Sequence, residues 1–236
     1  MIKAKPAKWA NFIFDLYVSR LLNKSFNSFR FLNECPDTNP DLPLLLVPNH
    51  SSWWDGFFIY LLNKKLFNRQ MYIMMLESQL SRLMFFRKLG AFSINPEHKN
   101  EIRKSLRYTL DLMRETRKPA SLITIFPQGE LLPWSKRPLH FRKGIEWIIS
   151  HFPGELNLLP VAIRIEFLME QRADVYFKFG VNRVYNSTSF TGVANLETSF
   201  THLLDSIEND INNGVEGHYL NRGKSSINKR IQNMFP

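Results

Sequence analysis

An apolar run, Leu42-Pro43-Leu44-Leu45-Leu46-Val47, leads straight into Asn49-His50-Ser51-Ser52-Trp53-Trp54-Asp55-Gly56. The run reads as a short buried strand. A histidine at a strand end is held on a rigid support yet opens on a cleft. Asp55 lies five positions further on, and a helix starting near Ser51 folds its carboxylate back towards the imidazole. A carboxylate on one ring nitrogen fixes the tautomer and leaves the other nitrogen free to take a proton. This is a base and its orienter without a nucleophile of their own. No Ser or Cys stands in a nucleophile-elbow context, so the attacking group is expected from the substrate, most simply a hydroxyl.

Histidines near strand ends are most often hydrogen-bonded structural residues. Two features set this one apart: the tryptophan pair Trp53-Trp54, large enough to wall a cleft, and a second glycine-bearing stretch, Phe126-Pro127-Gln128-Gly129-Glu130, behind another apolar segment. His50 to Asp55 resembles the His-x4-Asp motif of the glycerolipid acyltransferases, the 1-acylglycerol-3-phosphate acyltransferase family. Phe126–Glu130 resembles that family's Phe-Pro-Glu-Gly-Thr/Ser block, and Phe141-Arg142-Lys143-Gly144 its Phe-Lys-x-Gly segment. Leu159-Pro160-Val161-Ala162-Ile163 is similar to its fourth block, and all four stand in the family's order.

The resemblance implies His50 as general base and Asp55 as its orienter. It implies substrate-binding roles for Asn49, for Phe126, Pro127, Gln128, Gly129 and Glu130, and for Arg142, Lys143 and Gly144. It also implies an acyl thioester donor, acyl-CoA or acyl carrier protein, and a lysophospholipid or related lipid acceptor. Lys136, Arg137 and His140 add to the positive charge around Arg142 and Lys143, making this segment a candidate for anion binding. Turn N–H groups near Gly129 are candidates for oxyanion support.

Three positions depart from the pattern. Gln128 stands where the family has Glu, so a carboxylate is replaced by a neutral amide. Glu130 stands where it has Thr or Ser. In Gly90–Pro96, Pro96 takes the place of the Arg that would hold an acceptor phosphate. Either another cation, such as Lys99 or Arg103, reaches that phosphate, or the acceptor has none there. A catalytically inactive lipid-binding relative is therefore the alternative reading, against which the presence of both His50 and Asp55 speaks.

The 236 residues suffice for one full core, and 20 Phe and 5 Trp suit a protein that touches lipid. A net charge of +10 favours anionic partners. The charge is scattered and interleaves with no nucleic-acid-binding motif, so a nucleic-acid partner is not expected. The single cysteine, Cys35, has no disulfide partner and no neighbours that would lower its thiol pKa. No metal-ligand spacing appears, and neither metal nor cofactor is expected.

Strand and helix patterns alternate along the chain, predicting an α/β fold with a mixed, mostly parallel sheet flanked by helices. Residues 1–34 are expected to form an N-terminal amphipathic helical membrane-binding element, residues 35–215 the acyltransferase domain, and residues 216–236 a basic tail. Within the first element, Trp9, Ile13, Leu16, Tyr17 and Leu21 recur at helical spacing, widened by Phe12 and Phe14. No run is long enough for a spanning helix, and no signal peptide is recognisable. The expectation is membrane association on the cytoplasmic face, peripheral or monotopic. Ser78–Lys88 reads as a helix with Leu80, Leu83 and Met84 inward; its Met-rich surroundings suit the lining of an acyl-chain groove, although such residues are more often simply core.

Overall fold

The structure, a computed structural model, describes residues 1–224. Its centre is the strand β2 (Leu44–Pro48), every residue of which is buried. On one side β2 runs parallel to β5 (Leu122–Thr124), then β3 (Met71–Leu76) and β4 (Ala91–Ile94), all parallel. On the other side it runs parallel to β6 (Leu156–Glu166), which turns back antiparallel to β7 (Asp174–Phe179). β1 (Ser28–Phe31) joins β7 in parallel, and β9 (His218–Arg222) closes that edge antiparallel to β1. A short β8 (Arg183–Tyr185) pairs with the start of β6. The described residues thus form a nine-stranded mixed sheet.

Alternation along β2 divides the core in two, because successive side chains leave opposite faces. Leu45 and Val47 point to a layer built by α4 (Lys99–Met113), α5 (Gly144–His151) and α6 (Val193–Asn212). Leu44 and Leu46 point to the opposite layer, made by α1 (Lys8–Ser25) and α2 (Asp55–Leu62). Helices on both faces explain why the sequence of β2 is continuously apolar. At the amino ends of these strands the buried Arg69 donates to the Leu42, Asn39 and Ala120 carbonyls.

Local sequence accounts for the connection from β3 to β4. The one-turn helix α3 (Glu77–Leu80) is followed by a 3-10 turn, Met84–Leu89. Gly90 ends it at φ +106°, where an added Cβ would overlap the Met71 carbonyl. Only glycine meets both demands.

The structure corrects several expectations. The predicted helix over Ser78–Lys88 is split, and while Leu80 is buried, Leu83 and Met84 are exposed. The N-terminal helix stops at Ser25, and residues 28–31, read as helical, are strand β1 in the main sheet. Residues 218–222 of the expected tail are strand β9; Lys229 and Arg230 lie outside the described residues. The stripe expected on α1 is also divided. Ala10, Phe14, Val18 and Leu22, four apart, are the buried face, whereas Trp9, Phe12, Ile13, Leu16 and Tyr17 are each more than half exposed. No helix among the described residues is long and apolar enough to cross a membrane.

Candidate active site

Because β2 and β5 are parallel neighbours, their carboxyl ends emerge at the same edge of the sheet. His50 follows one and Phe126–Glu130 the other, so two stretches 76 residues apart in sequence meet there. Cleft formation at the carboxyl edge of parallel strands is general to such sheets.

The loop after β2 is built around one carboxylate. Asp55 opens α2 and is 1% exposed. Its Oδ2 accepts the Ser51 N–H at 2.7 Å and the Ser52 N–H at 2.9 Å, and its Oδ1 accepts the Ser52 hydroxyl at 2.6 Å. Oδ2 also lies 2.9 Å from His50 Nδ1. In that geometry Nδ1 carries the proton and Nε2 is left as the acceptor when the ring is neutral. Three local donors hold the carboxylate independently of the histidine, so the histidine is oriented by a fixed group.

Two further contacts set the position of His50. Its ring stacks on Phe126 with centroids 4.1 Å apart and planes 23° from parallel. Its backbone N–H donates to Gln128 Oε1 at 2.7 Å, and its carbonyl accepts the Leu132 N–H. Gln128 is buried and so fixes the backbone of the histidine through its side-chain carbonyl. Asn49, also buried, takes the Ile163 N–H on Oδ1 at 2.7 Å and donates through Nδ2 to the Ile163 carbonyl and Ser51 Oγ. Its amide continues the β2–β6 pairing one step past the strand.

Gly129 turns the second stretch at φ +73°, with an added Cβ only 3.3 Å from Arg142 Cγ. Its N–H donates to the Phe126 carbonyl, closing the turn, so this group is engaged within the protein. The N–H groups of Gln128 and Glu130 have no protein acceptor among the described residues. Pro127 accepts the Arg142 N–H, and Arg142 pairs with Glu130 at 3.4 Å. Arg142 therefore adjoins the Phe126–Glu130 turn. Lys143 and Gly144 instead start α5, with Gly144 facing Leu106 of α4. Arg137 is engaged by Asp205 and by the Trp134 carbonyl, and the N–H of His140 by Glu197. The two arginines of this basic segment are thus paired within the protein, whereas the Lys136 and Lys143 ammonium groups have no partner among the described residues.

His50 lines one wall of a cavity of about 450 Å³, within the common range for small-molecule sites, roughly 300–1,000 Å³. Trp53, just before α2, and Phe57 and Tyr60 of α2 form another wall, and Met71, Ile73, Met74 and Met75 of β3 a third. Phe14 of α1 and Phe86 close it. Gln79 and Arg82 are polar groups on this wall besides His50. Pro127–Glu130 and residues 142–144 are not part of it. Gln79, Arg82 and Phe86 were not legible in the sequence, since only the broken helix after β3 brings them to the cleft.

Cys35 stays apart from this site, and burial, helped by Asp37, pushes its thiol up to about 11. Among the described residues, no group of three or more His, Cys, Asp or Glu is arranged to hold a metal.

Comparison with known proteins gives a family and a similar fold. The family model described as "Acyltransferase" matches residues 32–164, more than half of the chain. No curated protein sequence matches. Among solved structures, the fold is similar to the crystal structure of the 1-acyl-sn-glycerophosphate (LPA) acyltransferase PlsC from Thermotoga maritima, with a TM-score of 0.56 and 14% identity, over 86% of this chain and 78% of that one.

Proposed function

The chain belongs to the acyltransferase family, and from that premise we propose that it moves a fatty acyl group from a thioester to the hydroxyl of a lysophospholipid or related lipid, with His50 as general base. The observation that carries this reading is the His50 Nδ1–Asp55 Oδ2 contact of 2.9 Å beside an apolar cavity. His50 Nε2 removes the proton of the acceptor hydroxyl as its oxygen attacks the thioester carbonyl carbon. The new C–O bond forms, the tetrahedral intermediate collapses, and the C–S bond breaks. The imidazolium returns its proton to the departing thiolate. Asp55 stabilises the imidazolium in between. The unengaged N–H groups of Gln128 and Glu130 are the nearby backbone donors suited to the oxyanion. The similar Thermotoga maritima protein is a 1-acyl-sn-glycerophosphate acyltransferase, which supports a lysophospholipid acceptor.

The exposed face of α1 supports a membrane-surface reading. Trp9, Phe12, Ile13, Leu16 and Tyr17 are flanked by the exposed Leu83, Met84 and Phe85. A shared crevice runs between them, lined by Ile13, Tyr17, Leu83 and Phe85. Leu83 and Phe86 line both this crevice and the catalytic cavity, so the apolar patch leads to the cleft mouth. Exposed Lys8, Arg20 and Lys24 on the same helix suit anionic headgroups. A protein docked this way takes its lipid acceptor from the bilayer and its thioester, acyl-CoA or acyl carrier protein, from the aqueous side.

The test is transfer of a labelled palmitoyl group from palmitoyl-CoA, or from palmitoyl-acyl carrier protein, to a panel of lysolipids. Wild type is expected to acylate at least one acceptor. His50→Ala is expected to lose about 100-fold or more of that rate, the scale of general-base contributions. Equal rates in wild type and variant sink the role of His50, and consumption of neither thioester leaves lipid binding without turnover.

A further inference from the structure

The cavity beside His50 is mostly apolar, yet one guanidinium stands on its wall. Arg82 is, among the described residues, the one Lys or Arg that lines this cavity. It follows α3, in the turn where its N–H donates to the Gln79 carbonyl. Its side chain makes no hydrogen bond or ion pair to any described residue. Of the basic residues near the second motif stretch, Arg137 is paired with Asp205 and Arg142 with Glu130, while Lys136 and Lys143 are unpaired among the described residues but do not line the cavity. The cations considered from sequence for a missing phosphate contact, Lys99 and Arg103, lie on α4 and are absent from the cavity wall. Glu77, the nearest acidic residue in sequence, is held by Ser93 and the chain's first residue.

An unpaired guanidinium beside an apolar channel and close to exposed Leu83 and Met84 is matched to an amphiphile with an anionic head. The alkyl part fills the cavity and a phosphate meets the planar donor fork. Gln79, on the same wall, adds an amide donor. We propose that Arg82 is the residue that recognises a substrate phosphate in this cleft, resting on the acyltransferase reading above. The phosphate belongs either to the lipid acceptor or to the thioester carrier, and the chemistry is the same for both.

The experiment separates these sources. Steady-state kinetics are measured for wild type, Arg82→Ala and Arg82→Lys with lysophosphatidate against monoacylglycerol as acceptor, and with palmitoyl-CoA against the phosphate-free palmitoyl-N-acetylcysteamine as donor. Binding of the same four compounds is followed by tryptophan fluorescence, Trp53 being a wall residue, so that the result does not depend on turnover. Arg82→Ala is expected to weaken KM, and binding, by about 10-fold or more for one phosphate-bearing substrate. Its phosphate-free counterpart and kcat should stay within about twofold. Arg82→Lys should recover part of the loss. A loss confined to lysophosphatidate assigns the acceptor phosphate, and one confined to palmitoyl-CoA the donor phosphates. Unchanged constants for both phosphorylated compounds overturn the proposal. So does an equal loss for phosphorylated and phosphate-free substrates, which marks Arg82 as a general surface contact. A wild type that binds phosphate-free compounds as tightly as their phosphorylated partners overturns it too. Silent turnover with the binding contrast intact removes the acyltransfer reading and leaves the phosphate site standing.

Discussion

Gln128 occupies the position where the resembled family carries a glutamate, and its side chain is bonded to the backbone of the histidine it adjoins. Its carbonyl oxygen does what a carboxylate oxygen would do, accepting the His50 N–H, but brings no negative charge. Gln128→Ala leaves that N–H without its partner and is expected to reduce stability by about 1–3 kcal/mol, read by chemical denaturation, together with kcat. Gln128→Glu keeps the acceptor and adds a charge beside the imidazole. Its stability in chemical denaturation should stay closer to wild type than that of Gln128→Ala, and an equal loss in both variants would refute this account of the bond. At this scale much was legible. His50, Asp55 and the Phe126–Glu130 turn stand out because chemistry restricts residue type and spacing. The bond from Gln128 to the histidine backbone was not, because the sequence carries no mark of which side chains meet across adjacent strand ends.

Helix α1 carries apolar residues all the way round, a composition found where a helix is buried or meets lipid. Its two faces predict different outcomes. Phe12→Ser with Leu16→Ser alters only the exposed face and is expected to leave thermal stability nearly unchanged. It should lower sedimentation with anionic phospholipid vesicles by about 10-fold or more, since each large apolar side chain contributes about 1.5–3 kcal/mol when buried. Phe14→Ser alters the face packed on Tyr60 and Phe57 and should unfold the protein at lower temperature. Vesicle binding untouched by the first pair would remove the membrane role of α1. Sequence periodicity found the helix but not which side faced the core, because aromatic residues occupy both. β2 was readable from its apolar run, and β5 from the apolar segment before Phe126. β1 and β9 were not: a four-residue strand with the sequence Ser-Phe-Arg-Phe acquires its identity only from β7 beside it.

Two buried tyrosines tie opposite layers of the molecule to surface acids. Tyr60 donates to Asp15 and Tyr72 to Glu115, each at 2.8 Å. Burial and then the neighbouring carboxylate raise both phenols above their ordinary value of 10.0. In the unfolded chain these hydroxyls ionise first, so above pH 10 the native state holds more protons than the unfolded one. Stability then falls as pH rises. It should be fully present below about pH 10, where neither state has ionised, and decline beyond it. The double variant Tyr60→Phe, Tyr72→Phe should show a flatter alkaline decline in urea midpoints between pH 9 and 11. An identical slope would sink this account.

Both ends of α1 are fastened to the catalytic domain. Before it, the Lys5 and Ala7 N–H groups donate to the Arg87 and Lys88 carbonyls; after it, β1 is clamped between β7 and β9. A helix so tethered cannot dip into a bilayer independently of the body that carries His50. On the docking proposed above, the standoff between the histidine and the lipid plane is thus a constant of the molecule. Acceptors whose hydroxyl already rests at that height react in place, whereas deeper ones must first be hoisted, at about 0.8 kcal/mol for each methylene withdrawn from the hydrocarbon. Selection among lipids then begins with depth, before any headgroup is touched.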